Sequence, residues 1–199
     1  MAYNTNAPFG LRPVMHLNGA PWNGAYRVYN IASAYATGLF SGDPVTTLTD
    51  GTIGIGVAGS AIRGIFWGCQ YFDTLGNLQN SKYWPASTVA KTGTTPIAYV
   101  IDDATVVFTA QEDNGSGAAG TALALADRGL NINFAIGAGS TSNGLSTSTI
   151  NNGSENTTST LNCKIIDLDP RPGNAVGDFA NWYVSINNHQ LGSVGTTGV

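Results

Sequence analysis

Turn-forming pairs recur along this chain at roughly ten-residue spacing, and short runs of β-branched and aromatic residues fill the intervals. Asp50-Gly51 is the sharpest of these signals. Glycine enters the positive-φ region without a steric clash, so an Asp-Gly pair between two apolar runs predicts a tight hairpin, with strands over 45–49 and 52–57. Ser41-Gly-Asp-Pro44 and Gly76-Asn77 turn the chain again. Residues 25–31, 63–72, 96–101, 105–111 and 161–168 read as further strands. Gly64 and Gly68 inside the aromatic run 63–72 predict a bulge or a close backbone approach. Leu130, Ile132, Phe134 and Ile136 alternate with Asn131, Asn133 and Ala135, and Trp182, Val184 and Ile186 alternate with polar neighbours. That period of two gives each segment one buried and one exposed face. Only 121–127 suggests a helical turn, and there is neither a heptad nor a fixed-length repeat. The expected fold is all-β, a small barrel or sandwich core.

Two stretches fall outside this pattern. Residues 1–24 are interrupted by Pro8, Pro13 and Pro21 and by Gly10, Gly19 and Gly24, which read as an extended arm. Yet the arm carries Phe9, Leu11, Arg12, Val14 and Trp22, side chains that a solvated tail does not need. They are the candidate anchors on a partner's surface; a strap over the chain's own core uses the same residues equally well. Residues 137–160 hold one charge, Glu155, and few apolar side chains, which reads as a long Gly/Ser/Thr/Asn-rich loop. The expected organisation is an arm over 1–24, a first β region over 25–110 and a second over 111–199 that contains the loop 137–160.

Charge narrows the function. Charged residues are only 10% of a chain that is 42% hydrophobic, against about 25% charged in an ordinary soluble domain. Disorder needs the opposite balance, and a free monomer normally keeps a charged surface, so part of this surface is expected to be covered by protein. The eight cations are scattered and the net charge is −4, which leaves no basic cluster to displace counterions from nucleic acid. No apolar run reaches the length of a membrane helix. The first ten residues lack a positive region and an apolar run, so no signal peptide is expected. Cys69 and Cys163 are expected to be buried free thiols. With His16 and His189 as the only histidines, no ligand spacing predicts a metal.

Motifs with chemical meaning test poorly. Gly54-Ile-Gly-Val-Ala-Gly59 matches a dinucleotide fingerprint, but aromatic and glycine residues follow it where a helix is required. No nucleophile elbow accompanies the two histidines. Asp102-Asp103 and Asp167/Asp169 read first as turn formers at strand ends. No catalytic residue, cofactor or metal is therefore expected, and the chain is not expected to be an enzyme. A hydrolase using Asp167 and Asp169 is the least favoured alternative.

Several segments together resemble a family. Gly10-Leu-Arg-Pro-Val14, Gly42-Asp-Pro-Val45, Ile62-Arg-Gly-Ile-Phe-Trp-Gly-Cys-Gln-Tyr71, Tyr83-Trp-Pro85, Ile165-Ile-Asp-Leu-Asp-Pro-Arg-Pro172 and Val184-Ser-Ile-Asn-Asn-His-Gln190 resemble the capsid decoration, or cement, proteins of tailed bacteriophages. The resemblance implies a structural virion protein made in the bacterial host cytoplasm. It would bind the outside of the major capsid protein shell, self-associate as a homotrimer and stabilise the capsid. The alternative, from the aromatic cluster around Trp67 to Trp84, is a tail- or fibre-type glycan-binding β module.

Overall fold

The computed structural model describes residues 4–192 together with 197 and 198. In chain order its strands are β1 Arg12–His16, β2 Arg27–Asn30, β3 Leu39–Phe40, β4 Pro44–Thr47 and β5 Ile53–Ile55. There follow β6 Gly64–Phe72, β7 Leu78–Ser81, β8 Tyr83–Trp84, β9 Ile97–Ile101 and β10 Val106–Asp113. The last are β11 Asn131–Ile132, β12 Phe134–Ala135, β13 Thr149–Asn151, β14 Cys163–Leu168 and β15 Asn181–Ile186. Among the described residues the only helical element is a single 3-10 turn, Leu125–Asp127, inside the segment expected to make one. The fold is all-β, with a nearly closed, barrel-like sheet.

The first sheet runs β2-β9-β6-β4-β5, with β7 also on β6. Its β4–β5 hairpin closes through Asp50-Gly51, as the sequence predicts: Gly51 sits at φ +82°, and Asp50 accepts the Thr52 N–H at 2.9 Å. The glycines of β6 do what strand glycines do. A Cβ at Gly64 would stand 2.3 Å from the Ile101 carbonyl oxygen, and the register with β9 shifts between Phe66 and Gly68. Adjacent residues of β6 serve different cores: Ile65 packs with Ile101 and Phe108, Phe66 with Val100 and Trp84. The sheet thus lies between two apolar clusters.

The second sheet runs β11-β14-β15-β10-β13-β12, with β1 also on β10. Here the expected boundaries are corrected. The first and second sheets divide at the 102–105 turn, not at 110/111, because β10 is the buried centre of the second sheet. Of the two readings left open for the arm, the described residues show the strap. Residues 12–16 pair with β10 from Arg12↔Thr109 to His16↔Val106, and His16 donates to Ala20 O at 2.8 Å as the chain doubles back. Upstream, the Ala7 N–H donates to Gln111 Oε1 at 2.9 Å. The segment straps its own core. Pro13 is tolerated because β1 is an edge strand, where a missing donor costs little.

The stretch 137–160 is mostly loop, as expected, apart from β13, and it is anchored at its centre. Its Ser146 and Ser148 are buried, and their hydroxyls donate to Asp43 Oδ1 at 2.5 and 2.8 Å. The Phe40 N–H donates to the other oxygen of that carboxylate at 2.8 Å. Burial outweighs these three donors and pushes the Asp43 carboxyl above its ordinary value. From there the chain enters β13, which runs parallel to β10 at Glu112 and Asp113.

Glu112 is another buried carboxyl. It accepts the Leu123 N–H at 2.8 Å and the Asn152 amide at 3.3 Å. Desolvation lifts it from 4.5 to about 7. A raised acid stabilises the fold below its unfolded value and loses that contribution as pH climbs through its folded value. The Glu112→Gln variant should therefore unfold at a higher temperature than the parent at pH 8, with the gap shrinking towards pH 4.5. Equal gaps at both pH values, in scanning calorimetry, would contradict this placement.

Candidate functional site

The five anchor candidates separate once placed on the fold. Leu11 is fully buried among Ile62, Phe108 and Trp182, so it holds the core and offers nothing to a partner. This corrects its reading as an anchor, for the reason that β1 belongs to the sheet. Trp22 is half-buried and packs edge-on against Trp67, with ring centroids 5.2 Å apart. Phe9 is half-buried, with the Arg12 and Arg171 guanidinium carbons 4.8 and 5.6 Å from its ring centroid, an arrangement that favours cation–π attraction. Arg12 and Val14 are exposed.

Arg12 also borders a recess that the sequence does not reveal. With Ser41, Trp67, Lys82 and Leu145 it lines a cavity of about 360 Å³. Trp67 and Leu145 supply apolar wall, and Arg12 and Lys82 supply positive charge. Its residues come from five separate segments. Leu145 arrives because the buried serines after it bind Asp43, and residue 41 bridges to 145 in parallel.

In the aromatic cluster from Trp67 to Trp84, Trp67, Tyr71 and Tyr83 are half-buried. Trp84 is fully buried, with Tyr71 edge-on at 5.1 Å. It therefore presents no face on which a sugar ring could stack. The glycines of the fingerprint-like run lie in β5 and the turn after it, where Gly56 N donates to Pro44 O and Ser60 N to Val57 O.

The two histidines meet the 102–103 carboxylates. His16 Nδ1 lies 3.6 Å from Asp103, while His189 and Asp102 line a cavity of about 450 Å³ with Tyr26 and Arg27. Spacing along the chain hides this meeting, since β1, the 102–105 turn and the segment after β15 converge only in space. The bonding there is that of a structural corner. Tyr29 donates to Asp102 at 2.5 Å, Arg27 lies 3.4 Å from the same oxygen, and Asp103 accepts the Thr105 N–H and hydroxyl. His189 Nδ1 accepts the Leu191 N–H at 3.0 Å, and burial holds the ring below its ordinary value. Asp167 pairs with Arg128 at 2.8 Å, and Asp169 with Arg171 and the Thr109 hydroxyl. Both are thus committed to structural partners. Cys69 and Cys163 are free and buried in different apolar clusters, and burial pushes each thiol up to about 12.

A pair of substitutions separates the structural from the presented part of the former arm. Leu11→Ala should lower the unfolding free energy by about 3 kcal/mol, whereas Val14→Ala should change it by less than about 0.5 kcal/mol. Urea titration of both variants checks this, and equal losses would contradict it.

No family model matches the chain, and no curated protein or solved structure does either.

Proposed function

We propose that this chain is a structural virion protein that decorates and cements the capsid of a tailed bacteriophage from the outside of the major capsid protein shell. The observation that carries the reading is an apolar surface with little charge to keep it free. Leu17, Val28, Val57, Leu75, Val89 and Leu191 are each more than half exposed on a chain with only twenty charged side chains, eight basic and twelve acidic. Contact with other protein would take these side chains out of water. The resemblance of the six motifs to decoration proteins supports the same reading.

The all-β frame suits this role. Among the described residues strand β2 pairs with β9 alone, so it offers an edge to which another chain could add main-chain bonds. Around it Tyr26 and Val28 stand exposed. Arg12 and Val14 on the edge strand β1 offer a second contact. Binding only the assembled shell stabilises it by mass action, with no chemistry required of the bound protein. The chain would be made in the host cytoplasm and reside on the virion surface.

Purified protein mixed with expanded, undecorated shells should sediment with them and raise the temperature at which they break open. An Arg12→Glu/Val14→Asp double variant should weaken that binding by about tenfold, roughly 1.4 kcal/mol, with its own unfolding midpoint unchanged. Failure of the parent protein to sediment with shells would overturn the reading.

A further inference from the structure

The hairpin joining β6 and β7 ends in a protruding apolar tip. Phe72 and Leu78 form its last cross-strand pair and both are substantially exposed, while Leu75 at the apex is 86% exposed. The tip is rigid. Asp73 N donates to Asn77 O at 3.0 Å and Gly76 N to Asp73 O at 2.9 Å. The Asp73 carboxylate accepts four more bonds, from Leu75 N, Asn77 N, the Asn77 amide and the Gln79 amide. An apolar side chain presented on so fixed a turn loses little freedom when it is covered.

The recess beside Arg12 is the counterpart. Its volume of about 360 Å³ far exceeds the ~30 Å³ that one water occupies in the liquid, and it admits an aliphatic side chain. The tip sets a carboxylate next to an apolar apex; the recess sets Arg12 and Lys82 around apolar Trp67 and Leu145. Lys91 lies along the tip near Gly76, so the charge match is Asp73 against two cations rather than one of net charge. The chain cannot make this contact with itself. Strand β7, four residues long, runs from the tip towards Lys82 and holds them roughly 13 Å apart at about 3.3 Å per residue.

We propose that the β6–β7 tip of one copy inserts Leu75 into the Arg12–Trp67–Lys82–Leu145 recess of a second copy. Tip and recess are different patches, so the contact is heterologous and builds a ring when its rotation closes. The contact stands independently of the capsid reading, because both of its halves lie on this chain.

Cysteine cross-linking of the full chain tests the contact. Chains carrying Leu75→Cys, mixed at micromolar concentration with chains carrying Lys82→Cys and oxidised, should form a mixed disulfide dimer. The doubly substituted chain should form closed oligomers. Cys69 and Cys163 are buried and should not compete. In sedimentation velocity the parent should associate and Leu75→Asp should be monomeric, with its thermal midpoint unchanged. A parent that is monomeric at every concentration, or a Leu75→Asp variant that still associates, would overturn the proposal. So would a Leu75→Asp variant that loses shell binding while its copies still assemble, since the partner of the tip would then be the shell.

Discussion

Strand β10 is buried along all eight of its residues, and the second sheet depends on its hydrogen bonds. β1 flanks it up to Thr109 and β15 up to Gln111, and β13 takes over at Glu112 and Asp113. The strand is polar as well as buried, and a buried polar group without a partner costs about 1–3 kcal/mol. Each of its polar side chains therefore captures a segment. Thr109 binds Asp169, and Gln111 binds Thr5 O, Ala7 N and Phe179 O. Glu112 binds the backbone at Leu123, and Asp113 binds Gly115, Gly117 and Thr149. One strand thus decides where the N-terminal segment, the 114–124 loop, the 169–181 connection and the 137–160 stretch lie.

What the sequence makes legible follows from range. The Asp50-Gly51 hairpin, the alternation at 130–136 and 181–186, and the bulge glycines of β6 are set by neighbours along the chain, so their pattern is readable. β1 is not, because Pro13 and the flanking glycines mask a strand whose partner lies more than ninety residues away. The strand expected over 105–111 runs on to Asp113, because the bonding partners of Glu112 and Asp113 are invisible in sequence. The 137–160 stretch looks featureless for the same reason. Serines are informative only beside Asp43, 103 and 105 positions away.

The motifs that resemble decoration proteins turn out to be joints. Gly10 and Gly42 both sit at positive φ, and a Cβ at Gly10 would lie 2.9 Å from Gly42 Cα. Leu11 N donates to Gly42 O, and Ile62 N to Asn188 O, while the Gln190 side chain binds Thr46 and Thr47. These residues lock sheets and segments together, so they carry the frame. Of the candidate site, only Arg12, Val14 and the half-buried Phe9 and Trp22 were legible as surface features. Lys82, Leu145 and the Leu75 apex were not, since a recess and a protrusion exist only after folding.

The account rests on apolar surface being covered by protein when the chain is at work. Hydroxyl-radical footprinting of the free protein and of the same protein on intact heads measures that cover residue by residue. Val14, Leu17, Tyr26 and Val28, exposed on the free chain, should be modified markedly less on the heads, while Leu11 and Trp84, already buried, stay unmodified in both states. Equal modification of the first four in both states would contradict it.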